Sequence, residues 1–261
     1  MKLIKTKNYQ EMSRTAANIV SAQIILFPKS VIGLATGSTP IGMYRQLAEW
    51  NYKGDLDFSK VKTFNLDEYI GLPKDHDTSY FWFMRHNFFN HINIDLINTY
   101  LPDGLAEDVE KECQNYEENI RNSGGIDLQV LGLGHNGHIG FNEPDSVFKK
   151  NTHIAVLTER TISANARFFE NPEQMPKTAI TMGMGTIMQA KRIIMMCSGE
   201  EKSPTLRSAL LGDIDPLLPA SILQLHTNVT VVADEAALRF IDLDELSANG
   251  IEVHDEFQKG L

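Results

Sequence analysis

The chain has 261 residues, 42% of them hydrophobic and 22% charged, with a formal net charge of -10. That length buries a large α/β core, that composition excludes disorder, and an acidic chain with no local basic patch excludes a nucleic-acid partner, although not a small phosphorylated ligand. Cys113 and Cys197 form neither a disulfide framework nor a CxxC motif, and MKLIKTKNYQEM lacks the apolar core of a signal peptide, so the expectation is a soluble cytoplasmic protein with no membrane segment.

In chain order, SVIGLAT (30–36) is a short apolar run ending in a turn, and a helical stretch follows around Pro40 to Trp50. VKTFNL (61–66) reads as a strand, DTSYFWFMRHNFFNHI (77–92) as an aromatic-rich helix, and EDVEKECQNYEENIRNSGG (107–125) as an amphipathic helix stopped by Gly124 and Gly125. IDLQVLGLG is a buried strand; HIAVLT, TAITMG, KRIIMMCSG and NVTVVAD are further apolar runs. Such runs, alternating with helices, predict a Rossmann-like α/β fold: an open, mostly parallel sheet in three layers, with helices on both faces. No linker or repeat divides the chain, which predicts one domain over 1–261, with a polar, mobile insert at about 158–178.

Ligands of open parallel sheets bind beyond the carboxyl ends of the strands. Four predicted strands are followed there by TGSTP, LDEY, GHNGHIGFNEP and SGEEK. In TGSTP, Gly37 turns the chain, Ser38 and Thr39 offer hydroxyls, and Pro40 suits a first helical turn. Alone, it reads first as an ordinary strand-to-helix turn, and it is neither a Walker loop nor GxGxxG. Asp67 and Glu68 are neighbours on an extended segment, so their side chains point to opposite sides; one can be a general base, and a solvated pair is the plainer alternative.

In LGLGHNGHIGFNEP (131–144), glycines allow close approach of backbone to a ligand. His135 and His138 have a spacing a helix could use for metal, but the glycines oppose a helix and HExxH is absent. His138 with Glu143 is instead an acid/base pair or a structural histidine in a Gly-rich loop. Arg167 and Lys202 are candidate phosphate ligands, or solvated charges.

Together, ATGSTPIGMY, FNLDEYIGLP, LGLGHNGHIGFNEP, ANARFF and LQLH resemble the glucosamine-6-phosphate deaminase family, in order along nearly the whole chain. The resemblance implies conversion of glucosamine 6-phosphate and water to fructose 6-phosphate and ammonia, with no metal and no organic cofactor. It implies that Asp67 is the proton acceptor at C2, and that His138, with Glu143, opens the sugar ring. Asn136 stands at a position of the catalytic set where many members have Asp. Gly37, Ser38 and Thr39 become the phosphate cradle, with Arg167, in an active-site lid, and Lys202. Some members are activated by N-acetylglucosamine 6-phosphate through basic residues after FNEP; here those positions are His153 and Ala155, which predicts no such activation. Activated members are hexamers and others smaller, so a homo-oligomer stays open. Tyr69 and Glu143 oppose the alternative, a 6-phosphogluconolactonase, whose family shows DER and DGHTASLFP-like runs. Retention of Asp67, His138 and Glu143, without any helix-turn-helix segment, opposes a non-catalytic sugar-phosphate sensor.

Overall fold

The computed structural model describes residues 1–166, 169, 171 and 174–255. Its elements, in order, are β1 (Lys2–Thr6), α1 (Tyr9–Leu26), β2 (Val31–Leu34), α2 (Ile41–Lys53), β3 (Lys62–Asn65), β4 (Asp67–Tyr69), α3 (Tyr80–Asn87), β5 (Thr99–Tyr100), α4 (Val109–Asn122), β6 (Leu128–Gly132), β7 (His153–Val156), α5 (Glu159–Asn165), β8 (Thr178–Thr181), α6 (Met184–Ile187), β9 (Ile193–Cys197), α7 (Ser203–Leu211), β10 (Val229–Asp234), α8 (Leu243–Ala248) and β11 (Glu252–Asp255). Eight strands form one sheet in the order β11-β1-β10-β9-β6-β2-β3-β5, with every pairing parallel. Successive side chains of a strand face opposite layers. Ile193 and Met195 therefore join a core with Tyr116 of α4 and Leu206 of α7, while Ile194 and Met196 join one with Val20 of α1 and Leu47 of α2. This is the expected α/β architecture. No described helix is long and apolar enough to cross a membrane.

Two expectations change. HIAVLT and TAITMG supply β7 and β8, which lie outside the parallel sheet and form a second, antiparallel sheet with β4. Leu66 joins the two sheets: its N–H bonds to Leu34 at 3.1 Å, and its carbonyl accepts from Met182 at 2.7 Å. The predicted helix over 77–92 stops at Phe88, followed by a short 3-10 turn, because Phe88 is fully buried against Tyr44 (centroids 4.6 Å) and Phe58 (5.5 Å). α4 ends where its glycines were expected to stop it; Gly124 and Gly125 have φ of +90° and +80°.

From β2 the chain moves to β3 and β5 on one side; from β6 it moves to β9 and β10 on the other. The crevice between β2 and β6 is thus the point where strand order reverses, the usual place for a ligand in such sheets.

Candidate active site

At that crevice lies a cavity of about 500 Å³, walled by the loops after β2, β3, β6 and β9 and by α5. It gathers Gly37, Ser38, Thr39, Asp67, Asn136, His138 and Lys202. Glu143 stands behind His138, facing an adjoining cavity of about 230 Å³. Arg167 lies outside the described residues.

The floor is Asp67, 5% exposed and the first residue past Leu66 where the chain leaves the parallel sheet. Strand alternation separates it from Glu68, as predicted. Glu68 turns away and accepts the N–H groups of Tyr69 (2.9 Å), Tyr80 (2.9 Å) and Phe81 (2.8 Å), which closes the N-terminus of α3. Burial first, then the charge of Glu68, drives the Asp67 pKa well above the ordinary carboxylate range. No cation offsets this among the described residues. Gly140 lets the backbone press close, since a Cβ there would stand 3.2 Å from Asp67 Oδ2.

His138 sits in a tight turn in which Gly134 N–H donates to the His138 carbonyl at 2.9 Å. Its ring occupies the space a Gly134 side chain would take: an added Cβ would stand 2.2 Å from His138 Cδ2. His138 Nδ1 is 3.6 Å from Glu143 Oε2, an ion-pair separation longer than a hydrogen bond, and it is buried without a hydrogen-bond partner. Asn136 bridges the two residues. Its Nδ2 donates to Glu143 Oε2 at 2.6 Å, and its Oδ1 accepts from the His138 N–H at 3.2 Å. Burial works against the charge of Glu143, but His138, the Thr161 hydroxyl and the Asn136 amide outweigh it and hold the carboxyl at about 2.

The opposite end is lined by the start of a helix, two hydroxyl residues and a lysine. Gly37, with φ of +86°, turns the chain toward α2, whose first N–H groups lack carbonyl partners within the helix. Tyr9 pins that loop: its hydroxyl donates to the Ser38 carbonyl (3.0 Å) and accepts from Gly42 N–H (2.9 Å). Across the cavity, Asp234 at the end of β10 accepts from Ser198 Oγ (2.5 Å) and Gly199 N–H (3.2 Å), fixing the turn that presents Lys202. His135, without an assigned role in the sequence, lines the cavity too; burial first and Lys202 next push its pKa down, so it is neutral at neutral pH.

Sequence reasoning missed Tyr80, Arg160, Thr161 and Asn165 on the wall. The one signal nearby was Thr158, a Thr ahead of a helical stretch, which caps α5 by accepting from Thr161 N–H at 3.3 Å. A buried carboxyl, a histidine–carboxylate pair, and a helix N-terminus with hydroxyls and a lysine nearby can together move protons on, and hold, a small phosphorylated molecule.

Residues 6–232 match the family described as glucosamine-6-phosphate isomerases/6-phosphogluconolactonase. The glucosamine-6-phosphate deaminase of Thermoanaerobacter pseudethanolicus is 54% identical over 246 residues, covering 94% of this chain and 97% of that one. That of Lachnoclostridium phytofermentans is 58% identical over 232 residues, covering 89% and 98%. Among solved structures, a monomeric glucosamine-6-phosphate deaminase aligns with a TM-score of 0.89 at 44% identity, over 92% of this chain and 99% of that one. A 6-phosphogluconolactonase from Leishmania guyanensis aligns with a TM-score of 0.72 at 21% identity, over 92% and 98%, which is a likeness of fold alone.

Proposed function

The chain belongs to the family of glucosamine-6-phosphate isomerases and 6-phosphogluconolactonases, and from that premise we propose that it is a glucosamine-6-phosphate deaminase that converts glucosamine 6-phosphate and water to fructose 6-phosphate and ammonia. Relatives named for that activity are 52–58% identical to it. The observation that carries the reading is the meeting of Asp67 and His138 in one cavity with the Gly37–Thr39 loop and Lys202.

In this reading the phosphate sits on the α2 N-terminus, between Ser38, Thr39 and Lys202. His138 takes the proton from the ring hydroxyl and returns one to the ring oxygen as the sugar opens. Glu143 supports the charged imidazole. Asp67 then takes the C2 proton and delivers it to C1. Burial, which raises its pKa, favours Asp67 as a proton acceptor, and the substrate's own ammonium favours the ionised carboxylate. Water adds at C2 and ammonia leaves. Arg167 and the 158–178 segment act as a second phosphate ligand and a closing lid, excluding water from the intermediate.

Purified protein should release ammonia from glucosamine 6-phosphate and leave 6-phosphogluconolactone untouched. Lactone hydrolysis without ammonia release would reverse the assignment.

A further inference from the structure

Glu143 is held from outside its own loop. Its Oε1 receives the Thr161 hydroxyl, from a side chain only 3% exposed. Its Oε2 receives Asn136 Nδ2 at 2.6 Å and Thr158 Oγ1 at 3.3 Å. His138 Nδ1 waits 3.6 Å from that same Oε2. Asn136 and His138 therefore compete for one oxygen, while the Thr161 hydroxyl donates to the other. At the start of α5 the Thr161 hydroxyl also accepts from Thr158 Oγ1 at 3.2 Å, but the cap of that helix does not need it, because the cap is supplied by the Thr158 oxygen and received at the Thr161 backbone.

A carboxylate is planar and turns about its last torsion with little resistance. With Oε1 anchored, Oε2 can only swing in a small arc, and closing from 3.6 Å to a hydrogen bond of about 2.9 Å is a movement of under about 1 Å. Without that anchor, the contacts left on Glu143 all fall on the oxygen His138 needs, and the carboxylate is free to settle on Asn136. We infer that Thr161 is a positioning residue for ring opening: its hydroxyl fixes one oxygen of Glu143 so that the other stays within reach of His138. The inference rests on the deaminase reading and adds a residue to it. It also makes the seating of α5 and the alignment of the His138–Glu143 pair a single event, since Thr158 and Thr161 stand at the start of that helix.

The test is ammonia release by Thr161→Val, which keeps the shape and removes the hydroxyl, and by Thr161→Ser, which keeps the hydroxyl. Val is expected to lower kcat about tenfold or more, the loss typical of one hydrogen bond to a charged group, with KM little changed because Thr161 acts through Glu143. Ser is expected to restore most of kcat. In a Glu143→Gln background the Val substitution is expected to cost less than about twofold further, because the group it positions is already disabled. An unchanged kcat in Thr161→Val overturns the inference; so does an equal loss in both backgrounds. Thr161→Ala carries the same expectation and decides the matter where Val does not fold. Wild-type protein that releases no ammonia sinks the deaminase reading itself, a distinct result.

Discussion

At the residue scale, the buried Asp67 costs stability at neutral pH. Its folded pKa is raised, so the folded state holds a proton that the unfolded chain releases above its ordinary carboxylate value. The contribution of Asp67 to stability is therefore whole at low pH and is lost as pH rises through the folded value. Asp67→Asn should lower kcat ~10²–10⁴-fold, as loss of a general base does, and should also raise the melting temperature at neutral pH, with the gain vanishing toward pH ~3.9. Thermal melts across pH check the second half; a variant destabilised at neutral pH contradicts it. Asn136 makes a second case. An Asp there would place an acceptor where an amide now donates, 2.6 Å from Glu143 Oε2. Two carboxylates so close share a proton, so Glu143 would rise from its present value of about 2. That rise moves the acid limb of the pH–rate profile of Asn136→Asp to higher pH, and an unmoved profile would refute the role given to Asn136. Much of this was legible in the sequence: strand alternation alone separates Asp67 from Glu68, and the Gly-rich loop announces close approach. The Thr161 contact was not, because residues 143 and 161 meet only once a second sheet has folded between them.

At the scale of elements, short strands defeat sequence patterns. β4 has three residues, Asp67–Tyr69, and β5 two, too few to show a period, and whether β7 and β8 pair with the main sheet or with β4 depends on contacts far along the chain. β1 and α1 left little trace either, because the N-terminal apolar positions are spaced among lysines and small polar residues. The break of α3 at Phe88 is tertiary packing overriding local pattern. Glu68 ties such pieces together, since its carboxylate receives three N–H groups from β4 and α3. Glu68→Ala should leave buried donors unpaired and cost about 1–3 kcal/mol, which a chain of this size shows as a drop of roughly 2–12 °C in melting temperature. A calorimetric scan showing no drop would mean that α3 does not depend on this anchor.

At the scale of the whole molecule, the net charge of -10 is compatible with the proposed phosphate site because that site is local: one helix N-terminus, two hydroxyls and Lys202. Regulation belongs to this scale as well. If, as the resemblance implies, His153 and Ala155 stand where activated members of the family carry basic residues, the rate curve should be hyperbolic and indifferent to N-acetylglucosamine 6-phosphate. A sigmoidal curve made hyperbolic by that sugar would contradict this. The sheet order has a further consequence. β1, from the first six residues, lies between β10 and β11, whose residues come from 229 onward. On the ribosome, the first strand must therefore wait, unpaired, until most of the chain has been synthesised. The half containing β2, β3, β5 and β6 has no such wait, since its strands leave the exit tunnel in close succession. Completion of the sheet waits for β10 and β11, so α1 and β1 are the pieces a chaperone has most time to meet.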